Sequence, residues 1–480
     1  MNKSFFKNIL KVLFGNMLTI FAGLLTGFLL PMLINVTDYG YYKTFTLYMT
    51  YIGLFAFGII DGINLVYAGT SLDKLNKEKF RLYYKVLTIV EVIFSLIVIL
   101  FSIFFVDGHL KLIFLAVGLM ILPNNLSGYF QQISQVTQRF TEYSIRNVVK
   151  SLGNIFIIVV MWFMTINNIK VTYIHYLIGF FIVNIILLIW YIHTYREIIF
   201  GTSINFNLEK KNLIKFIKIG FPLMIANLCT TFILTLDRQF VSILFSTEEY
   251  ALYAFAYNLL SFVTVAISSI SVVIFPMLKQ KDSKNLEIKY DSYVGLVEII
   301  VGLMLVSFFP LAIIINIILP KYVTSLLFFK IMFPSLIGSS VITTIMQNYY
   351  KSIGESFLFF KKSVIILILS IIANLITYYT IGTMAAFSVA TVIIVLVWYI
   401  NTESVLIKKM NIKWKKNFLY QLILMFIFYL ITFLIDNYLI GMLMYIILFV
   451  ILTLLFYSKL IQSNLRKTEK SKMGDVNGKK

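Results

Sequence analysis

Long runs of apolar residues, separated by short polar stretches, fill most of the sequence. Most runs reach the roughly 20 residues that an α-helix needs to cross the hydrocarbon layer of a membrane. They do not alternate between polar and apolar positions, as the strands of a membrane β-barrel do. The pattern therefore predicts an all-α polytopic membrane protein with about 14 transmembrane helices. The predicted helices cover residues 12–36, 44–67, 86–105, 112–132, 151–164, 173–193, 219–240, 252–276, 292–318, 325–347, 363–379, 384–407, 418–435 and 439–456.

The composition supports this class. Hydrophobic residues make up 60% of the 480 residues and charged residues only 13%, against roughly 45 to 50% and about 25% in soluble domains. A soluble core of this length cannot bury so large an apolar fraction, because much of the surface would then be apolar.

The basic residues are distributed unevenly across the predicted membrane. If the N-terminus is cytoplasmic, 35 of the 41 Lys and Arg residues fall in the N-terminal segment, in cytoplasmic turns or in the C-terminal tail. Cytoplasmic loops of membrane proteins carry this excess of positive charge. We therefore expect both termini in the cytoplasm, and the net charge of +20 then requires no nucleic-acid partner. The six remaining basic residues are Lys43, Lys111, Lys170, Arg238, Lys321 and Lys330.

Three features argue against an enzyme and against a metal or cofactor site. The predicted outer connections are short, as in residues 165–172, and leave no room for a catalytic domain. His109, His175 and His193 are dispersed and lack metal-binding spacing. Cys229 is the single cysteine, so no disulfide or paired-thiol site can form within the chain. We therefore predict a protein that is not an enzyme and binds no cofactor and no metal.

An internal repeat is visible after the first and seventh predicted helices. Residues 37–42 read Thr-Asp-Tyr-Gly-Tyr-Tyr, and residues 247–253 read Thr-Glu-Glu-Tyr-Ala-Leu-Tyr. Both contain an acidic residue, a tyrosine, a small residue and a second tyrosine. Because the two segments are six helices apart, an even number, the repeat is predicted to be parallel, with its axis along the membrane normal.

Several short motifs, taken in order, resemble one family. They are Gly15-Asn16, Asp38 to Tyr42, Ile60-Asp61-Gly62-Ile63, Leu236-Asp237-Arg238 with Glu249 to Tyr253, and Ile318 to Tyr322. Together they resemble the polysaccharide and oligosaccharidyl-lipid flippases of the multidrug/oligosaccharidyl-lipid/polysaccharide exporter superfamily. The resemblance covers residues 10–410, and Pro320 stands where the family usually has glycine.

The resemblance implies two six-helix lobes, residues 1–205 and 206–410, related by a parallel repeat around a central hydrophilic cavity. Two further helices in residues 411–458 and a basic cytoplasmic tail, residues 459–480, complete the expected organisation.

The resemblance also implies a function. The protein is expected to flip a polyprenyl-pyrophosphate-linked oligosaccharide from the cytoplasmic to the outer leaflet of a bacterial cell (inner) membrane, by alternating access. Its expected partners are membrane lipid, the lipid-linked glycan, and glycosyltransferases and a polymerase of the same pathway. Such a cargo needs a polar, cationic cavity for the sugars and the pyrophosphate, together with a lateral gap for the lipid tail.

Charged residues within transmembrane helices cost about 3 kcal/mol each and usually face a cavity or a partner. On helix seven, the spacing of Thr230 and of the site candidates Asn227, Thr231, Thr235 and Arg238 predicts one polar face. Lys330 on helix ten would add a second cation to the substrate cavity. Alternatively, both cations extend to the outer interface, with their apolar stems in the membrane.

The remaining candidates have competing interpretations. Asn16 lies on a small and polar face of helix one that either lines the cavity or packs closely against another helix. Asp61 on helix two is a candidate for the cavity, for ion coupling, or for a structural role near Lys74 and Lys77. The other ion-coupling candidates are Asp237 and Glu298.

Two rival functions remain. A cation-coupled multidrug or metabolite antiporter of the same superfamily would need buried carboxylates, and helix one has none. A membrane enzyme of cell-wall synthesis is disfavoured by the short outer connections.

The distribution of basic residues predicts the orientation of the chain. In a Cys229→Ala background, a cysteine at Asn167 should react with a membrane-impermeant thiol reagent in intact cells, and a cysteine at Ser71 should not. Labelling of position 71 from outside would reverse the predicted topology.

Overall fold

The computed structural model describes residues 18, 19, 21–279, 283–410 and 416–477. All regular structure in these residues is helical. The chain forms two compact units, residues 1–255 and 256–480, and each is described by itself.

The first unit contains nine helices among its described residues and the beginning of a tenth. They are α1 (Phe21–Leu33), α2 (Val36–Met49), α3 (Ile59–Tyr67), α4 (Lys77–Phe105), α5 (Gly108–Val136), α6 (Phe140–Ile166), α7 (Tyr173–Thr194), α8 (Phe206–Ile233), α9 (Leu236–Leu244) and the start of α10 (Thr247–Lys279).

The second unit contains the rest of α10 and shorter pieces that follow one another within longer spans. Its described helices are α11 (Ser283–Met304), α12 (Phe308–Ile318), α13 (Ser325–Met332), α14 (Leu336–Val341), α15 (Gln347–Ser352), α16 (Ser356–Thr380), α17 (Met384–Met410), α18 (Lys416–Leu434) and α19 (Tyr438–Asn477).

The predicted fold class is confirmed. Within the described part of the chain, 11 spans are long and apolar enough to cross a membrane, and the bent pair α2–α3 supplies a twelfth. The shorter helix α1 and the long helix α10 occupy the positions of predicted helices one and eight. The protein is therefore a multi-pass, all-α membrane protein. The lobe boundaries at residues 205 and 410 stay a prediction.

Predicted helix two is not continuous, contrary to expectation. α2 ends at Met49, a short 3-10 turn covers Ile52–Ala56, and α3 leaves at an angle of 61°. The bend occurs at Phe57 (φ 48°) and Gly58 (φ 72°). Glycine adopts this left-handed conformation without steric cost, because it has no Cβ, so Gly58 allows the turn.

Glycines at the bend, in α3 and in α8 allow the backbones of α3 and α8 to contact each other. A Cβ atom at Gly220 would lie 2.0 Å from the carbonyl oxygen of Gly58, and one at Gly62 would lie 2.3 Å from the carbonyl oxygen of Phe216. Gly58 and Gly62 are four residues apart, the spacing of small residues that lets membrane helices approach closely. The crossing of α3 over α8 therefore requires glycine at these three positions.

The two repeated segments found in the sequence contact each other. The Thr37 hydroxyl donates to the Glu248 carboxylate at 2.7 Å. Gly40 packs against Thr247, whose carbonyl oxygen would lie 2.3 Å from a Cβ atom at residue 40. The rings of Tyr39 and Phe255 are 6.0 Å apart, edge to face. The repeat thus supplies both sides of one contact between the beginnings of α2 and α10.

The beginning of α8 is anchored to α4 by polar contacts. Lys79 forms an ion pair with Glu209, and the Tyr83 hydroxyl donates to the same carboxylate at 3.0 Å. The Tyr83 ring also packs edge to face on Phe216, at 5.1 Å between centroids. α8 is therefore held against α4 at its charged beginning and against α3 at its glycine contact.

The glycine contact predicts a specific sensitivity. Gly220→Ala places a methyl group within the space of the Gly58 carbonyl and should destabilise the protein by about 1–3 kcal/mol. The measurement is the thermal unfolding midpoint of the purified protein in detergent. Gly53→Ala is the matched control, because a Cβ atom there meets no atom within 4 Å. Equal midpoints for the two variants would contradict the requirement for glycine.

Candidate functional site

A polar cluster lies where α2, α9 and the beginning of α10 meet, and we call it the α9 cluster. Its centre is Asp237, which is 1% exposed. The Asp237 carboxylate accepts a hydrogen bond from the Tyr253 hydroxyl at 2.7 Å and another from the Arg238 backbone N–H at 2.8 Å. The cluster comprises Lys43, Tyr48, Tyr51, Thr235, Asp237, Arg238, Gln239, Tyr250 and Tyr253.

Two cations belong to the α9 cluster. Lys43 and Arg238 are both half-buried and lie within electrostatic reach of each other. The Lys43 ammonium lies over the rings of Tyr39 and Tyr42, at 5.2 and 5.3 Å from their centroids. Such contacts stabilise a cation by about 0.5–2 kcal/mol, more when it is desolvated. The sequence analysis missed Lys43 as a site residue, although it is one of the six basic residues not assigned to the cytoplasmic side.

The predicted polar face of helix seven does not form, because the helix is interrupted. α8 ends at Ile233, and α9 begins only after Thr235, which has a non-helical backbone (φ −132°, ψ −4°). Asn227 and Thr231 remain one turn apart on α8, where the Thr231 hydroxyl donates to the Asn227 carbonyl at 3.1 Å. Thr235 is buried in the interruption, and Arg238 belongs to the separate helix α9.

A second polar surface lies on α6, which begins earlier than predicted helix five. α6 starts at Phe140, not near residue 151, so two basic residues counted as cytoplasmic lie within it. Arg146 is 2% exposed and stacks on Trp190 at 3.9 Å. It also donates to Glu142 at 2.8 Å. Its charge is therefore compensated by local partners.

Lys150, one turn further along α6, has no such partner. It is half-buried and makes no hydrogen bond or ion pair with any described residue. Its neighbours on the same side of the helix are Asn147, Ser151 and Asn154, at the spacing of residues that share a helix face. We call these four residues the α6 face. It presents one cation together with amide and hydroxyl groups.

Neighbouring helices contribute further polar groups to the α6 face. The Gln131 side chain of α5 donates to the Asn147 side chain at 3.0 Å. The Ser151 hydroxyl donates to the Thr19 hydroxyl at 3.0 Å. Thr19 belongs to predicted helix one, whose polar face was a site candidate. Asn16, the candidate on that face, lies outside the described residues.

Asp61 lies half-buried in the first turn of α3. A carboxylate at this end of a helix is stabilised by the helix dipole. Asp61 does not pair with Lys77. The Lys77 ammonium instead lies 2.5 Å from the Glu197 carboxylate, and both of these side chains are exposed. The pKa of Glu197 is lowered by its hydrogen bond with Lys77. Among the described residues, Asp61 forms no ion pair.

Lys330 interacts with the end of α18 in the second unit. Its ammonium donates to the carbonyl oxygen of Thr432 at 3.3 Å and lies 3.9 Å from the centroid of the Phe433 ring. A cation is stabilised at the C-terminus of a helix, where carbonyl groups lack intrahelical partners. These contacts explain Lys330 as a residue that caps α18.

Glu298 belongs to a polar network in the second unit that the sequence analysis did not foresee. Glu298 is fully buried, and its carboxylate accepts a hydrogen bond from the Tyr457 hydroxyl at 2.7 Å. The Asn417 side-chain oxygen lies 2.8 Å from the same hydroxyl, and the Asn417 amide nitrogen lies 3.4 Å from the Asp291 carboxylate. The network joins α11, α18 and α19.

Glu91 is a buried carboxylate in the first unit, and the sequence analysis missed it. It lies inside the run 86–105, which was taken as continuously apolar. Its side chain is fully buried and accepts a hydrogen bond from the Asn125 amide at 2.8 Å. A single charged residue inside a hydrophobic run was the signal that could have identified it.

Comparison with known families identifies the chain. The family model described as polysaccharide biosynthesis protein matches residues 5–282, more than half of the sequence. The chain belongs to this family. The membership confirms the resemblance that the short motifs indicated.

Solved structures of other proteins share the fold of this chain. The lipid II flippase MurJ, in an inward closed conformation, matches with a TM-score of 0.70 and 16% identity over 95% of this chain and 100% of that chain. An inward-facing multidrug resistance MATE family transporter matches with a TM-score of 0.59 and 12% identity, over 82% of this chain and 98% of that chain.

A MOP superfamily transporter from Pyrococcus furiosus has a TM-score of 0.57 and 11% identity, over 85% of this chain and 97% of that chain. At these identities the likeness establishes the fold, which is that of MOP superfamily transporters. A search of curated proteins gives no significant match.

The burial of Asp237 predicts a role for Tyr253. Tyr253→Phe removes a hydrogen bond to a buried carboxylate and should destabilise this family member by about 1–3 kcal/mol. Thermal unfolding in detergent measures the change. Tyr41→Phe is the control, because the Tyr41 ring stacks on His109 at 4.3 Å and its hydroxyl has no hydrogen bond with the described residues. An unchanged midpoint for Tyr253→Phe would show that the hydrogen bond contributes little.

Proposed function

We propose that this protein flips a polyprenyl-pyrophosphate-linked oligosaccharide from the cytoplasmic to the outer leaflet of a bacterial cell membrane, by alternating access, for the synthesis of cell-surface polysaccharide. Family membership supports polysaccharide biosynthesis as the process. The fold shared with a protein described as a lipid II flippase supports a lipid-linked cargo. In this proposal both termini are cytoplasmic, and glycosyltransferases and a polymerase act before and after the transport step.

Lys150 is the observation that carries the proposal. A cation within a transmembrane helix is unfavourable unless it meets water, a countercharge or an anionic ligand. Arg146, one turn away, has Glu142 and Trp190 as partners, whereas Lys150 has none among the described residues. A pyrophosphate supplies the missing anionic partner, since phosphate oxygens accept hydrogen bonds from an ammonium.

The groups beside Lys150 suit a sugar. Asn147 and Asn154 have amides that both donate and accept hydrogen bonds, and Ser151 adds a hydroxyl. Sugar hydroxyls need this mixture of donors and acceptors. Carboxylates are absent from the α6 face as defined, so the surface attracts an anionic glycan carrier rather than a cationic drug.

The α9 cluster supports the same cargo. Lys43 and Arg238 lie within electrostatic reach of each other, and their like charges repel. Bringing an anion between two cations removes this repulsion. We assign Lys43 and Arg238 as a second basic site for the pyrophosphate group.

The histidines have contacts that do not require catalysis. His175 accepts a hydrogen bond from the Thr172 backbone N–H at 3.1 Å and so caps the beginning of α7. The Nδ1 atom of His109 is 2.9 Å from the Tyr173 hydroxyl oxygen. These contacts support a transporter rather than an enzyme of cell-wall synthesis.

The test is a substitution of Lys150 in a strain that lacks its own flippase for a lipid-linked oligosaccharide. Lys150→Gln should lower export per folded protein about tenfold or more, because it removes a charge-assisted hydrogen bond. Lys150→Arg keeps the charge and should retain part of the activity. The measurements are the lipid-linked glycan that accumulates inside the cell and the polysaccharide at the surface.

Lys170→Gln is the matched control, because Lys170 is an exposed lysine in the connection after α6. Export by Lys150→Gln equal to that of Lys170→Gln, at equal protein levels, would remove the main support for a cationic substrate site. Failure of the wild-type protein to restore export of any lipid-linked oligosaccharide would contradict the proposed cargo.

A further inference from the structure

The second half of α5 carries a polar face that protein only partly covers. Its members lie within about 100° of one another around the helix, and all are half-buried. We call this surface the α5 face, and it consists of Asn124, Ser127, Gly128 and Gln131. The exposed large apolar side chains of α5 belong instead to its first half, and they are Leu110, Leu112 and Leu119. The two halves of the helix therefore meet different surroundings.

The α5 face lies at membrane depth. Its residues fall inside the predicted transmembrane segment 112–132, and α5 is one of the spans long and apolar enough to cross a membrane. Hydrocarbon cannot form hydrogen bonds with amides and hydroxyls, so partly exposed polar side chains at this depth face a water-filled cavity rather than lipid. The α5 face therefore indicates a cavity wall.

Two glycines within α5 meet different neighbours. A Cβ atom at Gly118 would lie 2.7 Å from the Ile99 side chain of α4, as expected where a small residue lets two helices pack closely. A Cβ atom at Gly128 would meet no described atom within 4 Å. Gly128 is therefore not explained by helix packing, and it leaves open space among the polar groups of the α5 face.

The α5 face is continuous with the α6 face. The Gln131 side-chain amide donates to the Asn147 side chain at 3.0 Å. Asn147 in turn precedes Lys150 by three residues, which is about 4.5 Å along the helix axis. The two faces therefore form one polar surface that includes a single cation.

Contacts within the described part of the chain do not satisfy this surface. The Ser127 hydroxyl and the Asn154 side-chain oxygen are buried and make no hydrogen bond with any described residue. Ser144 shares the side of α6 that bears Asn147, three residues away. It is 6% exposed, and its hydroxyl also lacks a described partner. Buried polar atoms are nearly always paired, so a polar ligand would supply what this surface lacks.

The chemistry of the surface selects a neutral polar ligand beside an anionic group. Its amides and hydroxyls both donate and accept hydrogen bonds, as the hydroxyls of a sugar require. The α5 face contains no charged side chain, and an apolar ligand would leave its amides unpaired. Gly128 adds bare backbone between two amides, because Asn124 lies one turn before it and Gln131 one turn after it.

We propose that the α5 face is the glycan-binding subsite of the transporter, and that Gly128 limits the size of the sugar that this subsite admits. The pyrophosphate binds at Lys150, and a sugar ring of the cargo lies over Gly128, flanked by Asn124 and Gln131. The proposal rests on the proposed function for the attachment of the glycan to a lipid carrier. It adds the residues that recognise the sugar and the position that determines its size.

The first test detects water beside Gly128 and needs no cargo. In the Cys229→Ala background, Gly128→Cys in the purified full-length protein in lipid nanodiscs should react with a charged thiol reagent. Leu119→Cys is the matched control on the same helix, because Leu119 is exposed on an apolar side and lipid should shield a thiol there. Gly128→Cys should react about tenfold faster or more, since a thiol in water ionises more readily than one in hydrocarbon. Reaction of the two variants at the same rate would overturn the proposal.

A stability measurement separates a cavity from a packing contact. Alanine is favoured over glycine inside a helix, so Gly128→Ala should not lower the thermal unfolding midpoint in detergent. Gly118→Ala should lower it, because the added methyl group would overlap the Ile99 side chain. A midpoint that falls as far for Gly128→Ala as for Gly118→Ala would make Gly128 a packing residue and overturn its assigned role.

The third test compares binding of two carriers that differ in the glycan. One is undecaprenyl pyrophosphate without sugar, and the other is the lipid-linked oligosaccharide whose export the protein restores in the flippase-deficient strain. Gly128→Leu, which fills the open space, and Gln131→Leu should each weaken binding of the glycosylated carrier about tenfold or more. Both should leave binding of the sugar-free carrier unchanged, whereas Lys150→Gln should weaken both. Asn207→Leu, at an exposed amide in the first turn of α8, is the control and should weaken neither.

Two results of the third test would overturn the glycan subsite while the proposed function stands. One is equal affinity of the wild-type protein for the two carriers. The other is a loss of affinity in Gly128→Leu and Gln131→Leu that is the same for both carriers, as general damage to the fold would cause. If the wild-type protein neither exports nor binds any lipid-linked oligosaccharide, the proposed cargo is wrong and the glycan subsite is rejected with it.

Discussion

Polar groups within a membrane must find their partners inside the protein, because hydrocarbon offers none. The interruption between α2 and α3 shows how the chain meets this constraint. Short turns supply backbone hydrogen bonds such as Phe57 N–H to the Leu54 carbonyl at 3.1 Å. The Ile52 carbonyl, at the start of this 3-10 turn, accepts a hydrogen bond from the Asn125 side chain at 2.9 Å. The helix packing, the placement of the charges and the candidate sites all depend on such hydrogen bonds within the protein.

The same constraint separates structural charges from candidate functional ones. Arg146 stacks on an indole ring and pairs with Glu142, and Lys330 meets the carbonyl end of α18. These contacts account for their charges without a ligand. Lys150 and Glu91 have no countercharge among the described residues, although they lie in the same unit as Arg146. Only charges of this second kind need a ligand or a proton to explain them.

The sequence alone was enough to predict the class, the family and the order of the helices, because these depend on long apolar runs and on the repeat around Tyr39 and Tyr250. It was not enough to predict the breaks. A positive φ at Phe57 carries no signal in hydrophobicity, so helix two was predicted as continuous. The face expected on helix seven failed for the same reason, since Thr235 does not continue the helix.

Helix ends were also misjudged where a charged residue is buried by an aromatic ring. The start of predicted helix five was placed at residue 151, and Arg146 and Lys150 were counted with the cytoplasmic turn before it. The structure buries Arg146 against Trp190, a residue of another helix that no local pattern connects to it. Glu91 gave a local signal as a single charged residue in a hydrophobic run, but its partner Asn125 lies on a different helix and could not be predicted. Pairings between helices are therefore what the sequence pattern could not supply.

Comparable polar groups occur in both units, while their surroundings differ. In the first unit the Tyr83 hydroxyl donates to Glu209, and in the second the Tyr290 hydroxyl donates to Glu403. Glu91 has an amide beside it, whereas Glu298 has two other carboxylates nearby.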